Sequence, residues 1–176
     1  MLEIAPLAVA GIDLTLGTTP VSGTVYGHSV TLSPAAPMVR WSLRAKDAGV
    51  LSAAIGRALP DAIGTHHDGI ARLGPDEWYA LLTEGSTLPV VAGQPLSQVE
   101  VTARAVGLTL TGPGAAAALG RGCPLDLARL TPGRATRTVF ETVEIQIWAL
   151  APETFHVEVW RSFAPWLWHA LAEAIV

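Results

Sequence analysis

Apolar and polar residues alternate with a period of two over much of this chain, in short stretches broken by Gly, Pro, Ser and Thr. That period predicts strands, because successive side chains of an extended chain point to opposite faces. Residues 12–16 and 25–32 read as strands of a lead-in, and VRWSLR at 39–44 as a longer one. The period then lengthens. Val50, Leu51, Ala54, Ile55 and Ala58 fall at helical spacing, Asp47 stands in the first turn, and Pro60 closes the segment. Strands at 70–73 and 78–82 follow, joined by Gly74, Pro75, Asp76 and Glu77, where Pro pre-sets the backbone for a turn.

EGSTLPVVAGQPLSQ at 84–98 has the composition of a linker, and beyond it the order repeats. A strand at 106–111 leads to a helix opened by Pro113 and carried by residues 115–119, then to an arginine-bearing irregular segment and strands at 143–150 and 155–160. RLGPDEWYALL (72–82) and ALAPETFHVEV (149–159) are thus the turns of two homologous units. The expectation is an α+β fold of two similar strand-helix-strand-strand units, with mainly antiparallel sheets and helices packed on one face. The halves fall at 1–97 (lead-in strands and first unit) and 98–176 (second unit and last helix), together one compact body. The last helix has Ser162 as N-cap and Pro165 in its first turn, with Phe163, Trp166, Leu167, Ala170, Leu171, Ala174 and Ile175 as its buried face. That phase puts Trp168 and His169 beside and behind the face and leaves Trp168 for a partner.

Composition sharpens the picture. Apolar residues are 50% and charged residues 15%, against about 25% charged in ordinary soluble domains. The uncharged run 14–39 is interrupted by Pro20, Gly23, Gly27, Pro34 and Pro37, which excludes a spanning helix. So little charge predicts a partly covered surface, as in an obligate subunit, or a homo-oligomer when the chain is isolated. The net charge of -4 and a single lysine, Lys46, give no basic patch of nucleic-acid type. Arg121, Arg129, Arg134 and Arg137 cluster around Asp126, and Arg is suited to interface ion pairs. Cys123 is the only cysteine, so no internal disulfide forms, and no basic stretch followed by an apolar one opens the chain; a cytoplasmic protein is expected.

Catalytic equipment is sparse. TGPGAAAALG meets the Gly-x-Gly-x-x-Ala form at Gly112, Gly114 and Ala117, but LTPGRATRT replaces the strand that should end in an acidic residue, and Pro113 reads more simply as a helix start. His66 and His67 are adjacent on an extended segment, so they face opposite ways, and with Asp68 they do not make a zinc site. Cys123 lacks a histidine base placed by the sequence.

WSLRA (41–45), LGPDEW (73–78), VGLTLTGPGAAAALGRGCPLDL (106–127), ATRT (135–138) and EVWRSFAPWLW (158–168) resemble, in order, the gamma subunit of heterotetrameric sarcosine oxidase. That family is related in fold to the folate-binding region of aminomethyltransferases. The resemblance implies a non-catalytic subunit supporting a flavin- and folate-dependent complex that oxidatively demethylates sarcosine to glycine. FAD, FMN, NAD and tetrahydrofolate are then expected on the larger alpha and beta subunits, and none on this chain. Residues 102–104 and Arg72 depart from the family's pattern, so no catalytic, cofactor-binding or metal residue is carried over. Arg134, Arg137, Arg161 and Trp168 are the expected partner contacts, since Arg and Trp are enriched among interface hot spots. The alternative is a stand-alone folate or small-carboxylate binder with its pocket between the halves.

Overall fold

A computed structural model describes residues 17–176; the strand expected at 12–16 lies outside them. The polypeptide runs β1 (Val21–Val25), β2 (His28–Pro34), β3 (Met38–Ala45), α1 (Ala48–Ile55), β4 (Thr65–His67), β5 (Ile70–Gly74), β6 (Glu77–Thr83) and β7 (Leu96–Glu100). It continues with β8 (Ala105–Thr111), α2 (Ala115–Gly120), β9 (Ala135–Phe140), β10 (Val143–Ala151), β11 (Thr154–Trp160) and α3 (Ala164–Ala174). Two antiparallel sheets result, one ordered β1-β2-β8-β11-β10-β9 and the other β4-β5-β6-β3-β7.

The predicted repeat is present with one strand more than expected. In the first unit β3, α1, β4, β5 and β6 give the spatial order β4-β5-β6-β3, and in the second β8, α2, β9, β10 and β11 give β9-β10-β11-β8. Even the irregularities match. Register shifts between Arg72 and Gly74 in one hairpin and between Ala149 and Ala151 in the other, just before each two-residue Pro-containing turn.

The lead-in does not stay with the unit it precedes. β2 pairs with β8 of the second unit, while β7, which precedes the second unit, pairs with β3 of the first. Each sheet is therefore completed by a strand from the segment in front of the other. The sequence division at 97/98 cuts through β7, and β1 and β2 belong spatially to the second half. The segment 25–32 is also not one strand: Tyr26 and Gly27, both with positive φ, make the tight turn between β1 and β2.

Period-two alternation assigns every strand two faces. Trp41, Leu43, Trp78, Ala80 and Leu82 point outward and are covered by Leu51 and Ile55 of α1. Asp47 starts this helix by accepting from the backbone N–H groups of Gly49 (2.7 Å) and Val50, and Gly56 ends it in the left-handed region. On the other sheet Leu108, Leu110, Ile145, Ile147 and Val157 face α2 and α3. The two inner faces meet through a smaller cluster of Ala71, Tyr79, Leu81, Ala135 and Trp148.

The last helix differs in phase from its sequence reading. Residues 161–163 form a 3-10 turn, Ser162 makes no cap, and the buried stripe is Ala164, Leu167, Trp168, Leu171 and Ala174. The expectation of a free Trp168 is corrected by this rotation. Its ring is 4% exposed and packs on Gly17, where a Cβ would fall 2.1 Å from it.

Gly107 has the strictest steric requirement on the inner faces. A Cβ there would lie 2.5 Å from His156 Cε1 and 2.9 Å from both Glu158 Oε1 and the Ala35 Cβ, none of which is the end of a mobile side chain. Gly107→Ala is expected to lower stability by about 1–3 kcal/mol through overpacking, checked by urea unfolding against wild type.

Candidate functional site

The inner positions of the central strands carry charge where an all-apolar interior would be cheaper. Arg40 on β3, Tyr79 on β6, and His156 and Glu158 on β11 converge there, all under 9% exposed. Arg40 Nε donates to Glu158 Oε2 at 2.5 Å and Arg40 Nη2 donates to Oε1 at 2.9 Å, a fork that joins the two sheets. The remaining Arg40 nitrogen, Nη1, donates to the Met38 carbonyl at 2.9 Å. His156 Nε2 lies 2.6 Å from Glu158 Oε1, and because an ionised carboxylate only accepts, that nitrogen carries the proton. Tyr79 Oη donates a long 3.5 Å bond to Oε2.

Burial alone would raise the Glu158 carboxyl, but hydrogen bonds from His156 and Arg40, and the attraction of both charges, hold it below the ordinary carboxylate value. Burial first, and then the charge of Glu158, push the Tyr79 phenol up, so it stays a neutral donor. A carboxylate with this many donors is a poor general base. The cluster is built to hold the sheets together.

Beside it the sheets part into a cleft of about 270 Å³. Arg137 on β9 reaches across to Glu77 on β6, and Arg44 pairs with the same carboxylate at 3.2 Å. At the rim Arg104 stacks over the Trp160 ring, 4.0 Å from its centroid.

The residues expected from the sequence scatter over the molecule. Arg134 is exposed, Arg137 braces the two sheets, Arg161 is exposed with Nε donating to the Ala103 carbonyl at 2.8 Å, and Trp168 is buried. The glycines of TGPG serve packing: Gly112 N–H donates to the Glu153 carbonyl and Gly114 N–H to that of Ser29, both at 2.9 Å, so the donors a phosphate would use are engaged. His66 bonds the Ala149 carbonyl at 2.9 Å while His67 faces Asp68. Among the described residues no three His, Cys, Asp or Glu side chains converge as metal ligands. Cys123 is buried, with Sγ 3.9 Å from Thr138 Oγ1. Sequence reasoning missed Arg40, Tyr79, His156 and Glu158. The signal was there, a charged residue inside VRW and a His-x-Glu step inside an apolar strand, but alternation alone cannot say that the other face is also buried.

Removing one member of a buried ion pair costs about 3–5 kcal/mol. Glu158→Gln is therefore expected to lose that order of stability at neutral pH, measured by urea unfolding. Because the folded carboxyl sits below its ordinary value of 4.5, its contribution is complete above that pH and is lost as pH falls through the depressed folded value. The gap between wild type and variant should narrow as pH falls through that acid range.

No protein-family profile matches the chain. A sarcosine oxidase subunit gamma from Corynebacterium sp. (strain U-96) is 30% identical over 164 residues, 84% of this chain and 80% of that protein. One from Arthrobacter sp is 30% identical over 119 residues, and this match spans 59% of the relative, less than two thirds of its length. Among solved structures, a chain of the heterotetrameric sarcosine oxidase from Corynebacterium sp. U-96, in complex with pyrrole 2-carboxylate, aligns with a TM-score of 0.76 and 26% identity over 86% of each chain. The glycine cleavage system aminomethyltransferase T of Bartonella henselae aligns over 81% of this chain and 44% of its own, at TM-score 0.55 and 18% identity, a likeness of fold. Duplicated antiparallel units, a structural interior and these relatives agree, and the chain belongs to the family of sarcosine oxidase gamma subunits.

Proposed function

We propose that this chain is a non-catalytic gamma subunit that supports assembly of a heterotetrameric sarcosine oxidase, with larger alpha and beta subunits as its partners. The observation that carries the reading is the extent of similarity to a gamma subunit, 30% identity across 80% of that protein, with the same fold. The complex demethylates sarcosine oxidatively to glycine, and its FAD, FMN, NAD and tetrahydrofolate reside on the larger subunits. In support, the buried charges of Arg40, His156 and Glu158 are spent on one another. The proposed setting is the cytoplasm; among the described residues no helix is long and apolar enough to cross a membrane.

For the contact surface we propose the end of β11 and the turn after it. Arg161 is exposed there beside Trp160 and Phe163, which are 44% and 45% exposed. These two rings take the place of Trp168. Exposed Arg134 is a second candidate. Arg137 contributes by keeping the sheets in place.

Co-expression of the tagged chain with alpha and beta subunits tests the proposal. Co-purification of both, with flavin absorbance in the complex and none in the isolated chain, is expected; a solitary chain overturns the reading. Phe163→Glu should weaken subunit association by about tenfold or more while leaving the unfolding midpoint of the isolated chain unchanged.

A further inference from the structure

The cleft between the sheets has an inventory of unsatisfied groups that subunit assembly does not explain. Its lining holds three arginines, Arg44, Arg104 and Arg137, against three glutamates, Glu77, Glu144 and Glu158. Glu158, however, is already neutralised from behind by Arg40, so the cleft as a whole favours an anion. Arg44 and Arg137 share Glu77. Arg104 has no carboxylate partner among the described residues, and its stacking on Trp160 leaves the in-plane N–H edge available for a planar anion.

A second signal is independent of charge. Gln146 lines the same cleft, and its Oε1, just beneath the cleft surface, is buried without a hydrogen-bond partner among the described residues, within reach of a ligand once the side-chain amide turns outward. A buried acceptor left in this state is costly, and a donor brought by a ligand relieves it. Tyr79 adds a hydroxyl held only by its 3.5 Å contact with Glu158. The volume of about 270 Å³ is the third constraint. It falls below the roughly 300–1,000 Å³ of pockets for drug-sized ligands and suits a small ligand.

We propose that this cleft binds a small organic carboxylate bearing a hydroxyl or amino group, its carboxylate on Arg104 and its donor group on Gln146 Oε1. The Arg104–Trp160 rim adjoins the surface proposed for partner contact, so the site is tested first on the isolated chain.

Glycolate is the probe. The Trp160 indole N–H resonance of the full chain is followed by NMR during titration with sodium glycolate at constant ionic strength, with glycolamide as the uncharged counterpart. Expected are a saturable shift in roughly the millimolar range, suited to so few heavy atoms, and at least about tenfold weaker binding of glycolamide. Arg104→Gln should abolish saturation without moving the thermal midpoint, and Gln146→Leu should weaken glycolate more than acetate. A non-saturating shift, an equal response to glycolamide, or an unchanged response in Arg104→Gln overturns the proposal. Repeating the titration on the assembled oxidase separates two sources of the carboxylate. Retained binding supports a free ligand in the complex; loss on assembly overturns that source and shows the Arg104–Trp160 rim covered by a partner subunit.

Discussion

Glu158 is a carboxylate removed almost entirely from water, and the structure depends on how its charge is met. An unpaired carboxylate at this depth would cost several kcal/mol. It is met by a forked arginine from the opposite sheet and a histidine from its own strand. Arg40 in turn has its backbone held by the 101–102 segment, since its N–H donates to Thr102 Oγ1 at 3.0 Å and its carbonyl accepts from Val101 N–H at 2.8 Å. These contacts fix how the sheets face one another, and so fix the shape of the cleft beside them.

The duplication explains how one such bridge can exist. In the first unit Arg40 stands opposite Leu81, and in the second Gly107 stands opposite Glu158. The hairpin registers make Arg40 the counterpart of Gly107 and Leu81 the counterpart of Glu158. One copy thus supplies the cation, the other the anion, and the remaining positions have become small or apolar. Strand exchange reinforces the joint. β2 and β7 each complete the sheet of the other unit, and Thr65 of β4 bridges Arg134, the residue just before β9. Separating the halves means breaking ladders as well as the ion pair.

An interior committed in this way fits the proposed assembly role. Arg40, His156 and Glu158 stabilise one another, while Trp160, Arg161 and Phe163 stand outside at the end of a central strand. Aromatic rings and arginine in such a place suit a covered surface better than a solvent-facing one.

The strand periods, the Pro-containing turns, the Asp47 helix start and the repeat itself were legible in the sequence, because each rests on local backbone preference or spacing. The five motifs carried the family. Local pattern could not show which sheet β1, β2 and β7 would join, since strand pairing is decided by long-range complementarity. It could not fix the phase of α3, because the 3-10 turn at 161–163 re-aims that helix and turns Trp168 inward. Nor could it find the Arg40–Glu158 bridge, whose residues are 118 positions apart. Local order was set by the sequence alone; partner choice across the sheets, and with it the buried charge and the cleft, was settled only when two inner faces closed on each other and excluded water.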